Sequence, residues 1–266
     1  MADVVRLEYR NVTMRFKESG GRNVLTAVQN VSFSVRDGEV VSLIGPSGCG
    51  KSTLLNIGSG LTPPSEGEAF VDGEHVTGPN AHVAFMLQKD LLLPWRTIAE
   101  NVMFGVEIQG VPQPECKQRA KSLLESFNLG EFAGHYPHQL SGGMRQRVAL
   151  ARTLAVDPHV LLLDEPFSAV DAQTRMVLQR DLAQTLKKAG KTALLITHDL
   201  AEAVILSDRV LVMSRRPGTI VEEITIDMPE RDNPIARRHN AKANDYVAHL
   251  MDQLGIGSLE QTRGAA

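Results

Sequence analysis

One eight-residue run narrows the possible folds more than anything else in this chain. It is Gly45-Pro46-Ser47-Gly48-Cys49-Gly50-Lys51-Ser52, set between a β-rich apolar stretch (Val40 to Ile44) and a helical pattern that opens at Lys51. The run fits G-x-x-x-x-G-K-[ST] without a gap. Its glycines let the backbone wrap closely and aim N–H groups at phosphate oxygens. The helix start adds the positive end of its dipole. A lysine placed like Lys51 reaches β- and γ-phosphates, and a hydroxyl placed like Ser52 binds Mg²⁺. Residues Gly45 to Thr53 are therefore expected to cradle a nucleotide, with Cys49 read as packing rather than as a nucleophile.

A second signal lies downstream. Val160-Leu161-Leu162-Leu163 is an apolar strand pattern that ends in Asp164-Glu165. In phosphate-loop enzymes the acid at this strand end holds Mg²⁺, directly or through water. That role falls to Asp164, and Glu165 would face the attacking water as general base or positioner.

The rest of the chain supplies a matching scaffold. Residues 4–43 read as strands, 51–61 as a helix, 62–67 as a loop and 68–88 as further short strands. From about 96 to 157 apolar residues recur at helical spacing, which predicts a helical insert. Strand 159–163, helix 173–190, strand 192–197, helix 199–206 and strand 209–213 then alternate. Such alternation predicts an α/β fold with a parallel sheet covered on both faces. From about 227 the composition turns polar and charged, with one amphipathic stretch over 241–254. This divides the chain into a nucleotide-binding domain over 1–226 and a polar C-terminal extension over 227–266. The extension reads as a packed appendage, with a regulator-binding tail as the alternative.

Composition removes several function classes. Lys plus Arg is 28 against 31 Asp plus Glu, a net charge of −3, so binding nucleic acid by bulk charge is not expected. Two cysteines make neither a disulfide framework nor a four-ligand zinc site, and they fit a reducing compartment. The N-terminus lacks a signal-peptide pattern, and no run approaches the roughly 18 apolar residues of a membrane helix. A cytosolic protein is expected, and any work at a membrane requires another chain to span it.

Further motifs carry a family resemblance. Leu140-Ser141-Gly142-Gly143-Met144-Arg145-Gln146-Arg147 resembles the LSGGQ-type signature of ATP-binding-cassette ATPases, and Ser141 stands 23 residues before Asp164. Gln88 is similar to the Q-loop glutamine of that family, Ser168-Ala169-Val170-Asp171 to its D-loop, and His198 to its switch histidine. Phe16 stands where the family places an aromatic against adenine, with Tyr9 as a competitor. Met144 replaces the usual signature glutamine and Val170 the usual D-loop leucine; neither change removes a group that catalysis needs.

The resemblance implies a phosphate-loop NTPase core of cassette type with an antiparallel β subdomain and a helical subdomain. It implies ATP and Mg²⁺ as cofactors, with Ser52, Gln88 and Asp164 near the metal and Glu165, His198 and Gln88 as catalytic groups. It implies a head-to-tail homodimer or paired subunit, with ATP between the phosphate loop of one chain and Ser141, Gly142 and Gly143 of the other. Two transmembrane permease subunits and an external solute-binding protein would complete an importer, with this chain peripheral on the cytoplasmic face of the inner membrane. Lys89-Asp90-Leu91-Leu92-Leu93-Pro94-Trp95 lies where the family receives a permease coupling helix; core packing of these apolar residues is the competing expectation. That segment and Arg216-Pro217-Gly218-Thr219-Ile220 are similar to importer ATPases for nitrate, sulfonates and taurine. The alternative is a soluble cassette ATPase acting on nucleic acid or ribosomes. Such proteins usually carry two cassettes or long coiled-coil insertions, and this chain has neither.

Overall fold

A computed structural model describes residues 4–17, 24–168 and 170–256. Two sheets meet around the apolar run Val40 to Ile44. The first is antiparallel, in the order β2-β1-β4-β5, built from β1 (Val5–Lys17), β2 (Val24–Arg36), β4 (Glu66–Val71) and β5 (Glu74–His75). The second has six strands in the order β10-β9-β3-β8-β7-β6. They are β3 (Val40–Ile44), β6 (Val83–Met86), β7 (Val160–Asp164), β8 (Thr192–Ile196), β9 (Arg209–Met213) and β10 (Ile220–Thr225). All pair in parallel except β10, which runs antiparallel along β9. Strands β3, β8 and β9 are buried at every residue, as sheets covered on both faces must be.

Helix α1 (Lys51–Gly58) follows β3 and buries Leu54, Leu55 and Ile57 against the antiparallel sheet. The sequence pattern extends this helix to residue 61. It ends earlier because Ser59 and Gly60 turn the chain, Gly60 taking φ +75° beside the Gly78 carbonyl. The helical insert is α2 (Ile98–Ile108), α3 (Gln113–Ser126) and α4 (Gly142–Ala155), sharing a core of Val102, Val106, Leu124 and Val148. Thr97 and Glu100 form a reciprocal capping box at the start of α2. Helix α5 (Ala172–Ala189) and the short α6 (Leu200–Leu206) cover the parallel sheet.

The residues after 227 are less polar in place than in sequence. Helix α7 (Pro234–Arg238) and helix α8 (Ala241–Gln253) follow β10. Met228, Ala243 and Leu250 pack with Ile44, Ala203 and Val204 in one apolar cluster. Arg237, 3% exposed, donates to the carbonyls of Ser207, Met228 and Pro229 and so stitches the extension to the end of α6. The frayed end expected at Gly257 to Ala266 lies outside the described residues. Among the described residues no helix is long and apolar enough to cross a membrane.

Candidate functional site

The site forms where strand ends and helix starts converge. The chain leaves β3 at Ile44, turns through Gly45 to Gly50 and enters α1. Gly50 caps that helix at φ 105°, with no side-chain cap. A Cβ at Gly50 would meet the Val28 side chain and stand 3.1 Å from the Ala27 carbonyl oxygen, so only glycine fits. Lys51 Nζ donates to the carbonyls of Gly45 at 2.7 Å and Pro46 at 3.1 Å, bracing the loop from within. Arg216 braces it from outside, with Nε and a terminal nitrogen 3.0 and 2.8 Å from the Gly48 oxygen.

A cleft of about 350 Å³ lies over this loop. Gly45, Ser47, Gly48, Gly50, Lys51, Ser52 and Thr53 line it, with Phe16, Glu165, His198 and Arg216. Pro46 and Cys49 do not. Pro46 has no N–H to offer an anion and contributes its carbonyl to Lys51. Cys49 is 1% exposed and faces the core, with Lys51 Nζ 3.7 Å from its sulfur, in keeping with its expected packing role. Of the two aromatics, Phe16 reaches the cleft. Tyr9 is buried against Phe33 and donates its hydroxyl to the Leu54 carbonyl at 2.8 Å, which makes it core.

The acids stand at the end of β7. Burial pushes the Asp164 carboxyl above the ordinary aspartate range, against the hydrogen bond it accepts from Ser52. The neighbouring Glu165 charge adds to that push and Lys51 opposes it. Glu165 takes φ 46°, a left-handed conformation that costs a non-glycine residue energy. That turn swings its side chain back over the loop. Its Oε2 accepts from Gln88 Nε2 at 3.1 Å and lies 3.3 Å from His198 Nδ1. Ser168 Oγ donates to the Glu165 carbonyl at 3.1 Å and accepts from Gln88 at 3.3 Å. Gln88 follows β6, Glu165 follows β7 and His198 follows β8, so three neighbouring parallel strands deliver the cluster to one point. That is the edge where open α/β sheets place their ligands.

The second glycine run lies elsewhere. Ser141 caps α4, its hydroxyl accepting from the Met144 N–H at 3.3 Å. A Cβ on Gly143 would run into the Thr174 side chain, so glycine lets α4 close on the start of α5. Neither Ser141, Gly142 nor Gly143 lines the phosphate-loop cleft. Of the expected D-loop, Ala169 lies outside the described residues; Asp171 caps α5 by accepting from the Thr174 N–H.

A family model described as ABC transporter matches residues 28–168. The chain belongs to the ABC transporter family. A taurine import ATP-binding protein of Rhizobium johnstonii is 41% identical over 262 residues, 98% of this chain and all of that protein. One from Burkholderia pseudomallei is 47% identical over 210 residues, 79% of this chain and 81% of the relative. A nitrate import ATP-binding protein of Synechocystis is 44% identical over 236 residues, 88% of this chain and 89% of the relative. Among solved structures, an ATP-binding cassette determined as a dimer in a post-hydrolysis state with ADP and Pi superposes with a TM-score of 0.74. It is 32% identical and the match spans 84% of this chain and 99% of that one. This ABC protein is an ATP-binding cassette that binds and hydrolyses ATP.

Two parts of this cassette were not foreseen from the sequence. Arg216 joins the cleft from 168 residues beyond Gly48, and a similarity to other ATPases was the only sequence signal that touched it. Asn101, fully buried, holds the Leu91 to Trp95 segment in place. Its Oδ1 accepts from Leu93 N at 2.7 Å and its Nδ2 donates to the carbonyls of Leu93, Arg96 and Thr97. That segment divides between core and surface. Leu92 is buried, whereas Leu91 is 53% and Trp95 72% exposed.

Proposed function

We propose that this chain energises an importer for a small solute of the nitrate, sulfonate or taurine class. In this reading it works as a head-to-tail pair beneath two permease subunits fed by an external binding protein, on the cytoplasmic face of the inner membrane. The observation that carries the reading is the split between the two anion-ready helix starts. The phosphate loop shares a cleft with Glu165 and His198, while Ser141, Gly142 and Gly143 lie outside it. One chain thus holds two half-sites that a second copy, related head to tail, would complete. The names of the import relatives support the solute class.

The site residues take these roles. Backbone N–H groups of Ser47, Gly48, Gly50, Lys51, Ser52 and Thr53 bind phosphate, with Lys51 supplying the positive charge. Phe16 stacks on the base. Glu165 accepts the proton of the water that attacks the γ-phosphate, and Gln88 and His198 hold its carboxylate in position. Ser52, Asp164 and Gln88 offer the oxygen donors that suit Mg²⁺, and the Ser52–Asp164 hydrogen bond brings two of them together. When bound, Mg²⁺ neutralises charge on the β- and γ-phosphate oxygens. The exposed Leu91 and Trp95 receive a permease helix, with the large aromatic as anchor.

The testing variant is Glu165→Gln. It should bind ATP with near wild-type affinity, lose turnover by about 10²–10⁴-fold, and accumulate as a closed dimer by size-exclusion chromatography in ATP. Wild-type turnover in this variant sinks the role of Glu165. The import reading has its own readout in liposomes containing this chain and its permease. Nitrate, sulfonates and taurine are offered with binding protein, and at least one should stimulate ATP hydrolysis. Active ATPase with no membrane partner recovered would favour a soluble cassette.

A further inference from the structure

At the opposite end of the parallel strands, three side chains converge that the ATPase site does not use. Asp72 lies in the β4–β5 turn, His82 directly before β6 and His159 directly before β7. Both imidazoles point Nδ1 at one carboxylate oxygen. Asp72 Oδ2 is 2.6 Å from His159 Nδ1 and 2.9 Å from His82 Nδ1, and the two nitrogens are 3.0 Å apart. The rings meet nearly edge to face, at 71°.

Protons alone satisfy this triangle poorly. An ionised carboxylate only accepts, and a neutral imidazole nitrogen either donates or accepts. If both Nδ1 atoms donate to Asp72, their N–H groups confront each other across the third side. If one donates, the other turns a lone pair toward the carboxylate. A cation in place of the proton is met by all three lone pairs at once.

The surroundings hold the donors ready. His159 N donates to the His82 carbonyl at 2.9 Å, so the β6–β7 register fixes the two histidines side by side. Asp72 N donates to the Arg6 carbonyl at 2.9 Å. Arg6 also donates to the other carboxylate oxygen of Asp72, at 2.8 Å, and to Asp37 at 2.7 Å. A metal-ligating carboxylate is commonly oriented by such an outer hydrogen bond. The histidine side chains are 48% and 42% exposed, which leaves an approach from solvent.

We infer that Asp72, His82 and His159 form a divalent transition-metal site, of the two-imidazole, one-carboxylate type that suits Zn²⁺ with a water in the fourth position. This donor set favours Zn²⁺ over Mg²⁺ or Ca²⁺, which prefer all-oxygen ligands. A tetrahedral ion with bonds of roughly 2.0–2.1 Å separates its ligands by about 3.3 Å. Each donor therefore moves outward by a few tenths of an ångström on binding. Four strand residues lie between His159 and Asp164, five steps or about 17 Å at the rise of a β-strand, so the ion stands clear of the ATPase chemistry. It would staple the antiparallel sheet to the edge of the parallel sheet.

The test is calorimetric titration of the purified full chain with ZnCl₂ after EDTA treatment, with thermal unfolding alongside. One equivalent should bind, and Zn²⁺ at 100-fold its dissociation constant should raise Tm by about 5 °C. In the His82→Ala/His159→Ala chain both effects should vanish while Mg-ATP hydrolysis persists. Asp72→Asn, which keeps the backbone contacts and is the second variant should the first fail to fold, should weaken binding at least tenfold. Co²⁺ in place of Zn²⁺ should give the intense visible bands of tetrahedral coordination. No stoichiometric binding in the wild-type chain overturns the site. So does undiminished binding in the variants, which would mean an adventitious ion only, or one equivalent of Co²⁺ without those bands.

Discussion

Two helix starts in this molecule are built to meet an anion, and they differ in what they keep for themselves. Helix α1 opens on Gly50 in a left-handed turn, with no side chain spent on its free N–H groups. Lys51 leads its first turn and Arg216 leans on the loop that precedes it. Helix α4 opens on Ser141, whose hydroxyl already accepts from Met144 N. Arg145, in its first turn, is committed to Asp90 and to the Leu140 carbonyl. In the proposed function the first start, with charge and uncapped donors, would hold a polyphosphate unaided. The second supplies a neutral hydroxyl and close backbone, which on that proposal would add to a phosphate that another chain presents. That difference predicts an order: nucleotide binds at α1, and α4 engages afterwards.

The largest expected effect probes the charged start. Lys51→Ala removes the cation and two loop braces. A hydrogen bond to a charged group is worth roughly 1.5–3 kcal/mol, so affinity for a fluorescent ATP analogue should fall at least tenfold. With transition-state charge also unmet, kcat/KM should fall about 10³-fold. Unchanged nucleotide affinity would break the contrast at its root.

Ser141→Arg probes the neutral start. Nucleotide affinity of the single chain should stay within about twofold, because Ser141 lies outside the phosphate-loop cleft. Turnover should fall about 100-fold, the scale of one lost transition-state donor. An affinity loss as large as that of Lys51→Ala would place both starts in one site of one chain and refute the head-to-tail reading. Lost capping costs about 1 kcal/mol of stability, which a melting curve separates from lost catalysis.

The two starts were also unequally legible. The phosphate loop itself is contiguous, from the apolar β3 run to Lys51 and Ser52, and a local pattern in the chain expresses it. Asp164 and Glu165 were readable for the same reason, as the end of a fully apolar strand. The alternation of strands and helices likewise carried the parallel sheet. Long-range pieces were not readable. Arg216 meets Gly48 across 168 positions, and Asn101 shows only as one polar residue in a helix until Leu93 folds onto it. The left-handed turn at Glu165 has no local marker, because glutamate gives no hint of positive φ. The polar tail packs as a packed appendage should, because sparse apolar residues such as Met228, Ala243 and Leu250 suffice once they meet a ready-made apolar face.

A third helix start, that of α6, yields the last prediction, on stability rather than turnover. It faces the cleft through His198, but the charge in its first turn is hidden. Glu202 is 3% exposed, accepts from Gln179 at 3.0 Å and lies beside Thr197, Asp199 and Arg175. Arg238 of the C-terminal extension donates to the same Gln179 at 3.2 Å, so this network reaches from the extension to Thr197, the residue before His198. Burial pushes the Glu202 carboxyl up to about 7, against hydrogen bonds from Thr197 and Gln179, with Asp199 adding to the push and Arg175 opposing it. The sign of the pH effect follows. Between pH 4.5 and about 7 the folded chain keeps a proton that the unfolded chain releases, so stability falls as pH rises through that window. The loss across the whole window is at most about 3.5 kcal/mol, because one proton held through each step of one in pH is worth roughly 1.4 kcal/mol. Glu202→Gln cannot release that proton, and the Tm difference between wild type and variant should widen in the variant's favour from pH 5 to pH 8. Parallel melting profiles would mean that Glu202 is ionised in the fold. Hidden charge at α6 would then be no different in kind from the open charge at α1, and the grading of the three starts would collapse to two.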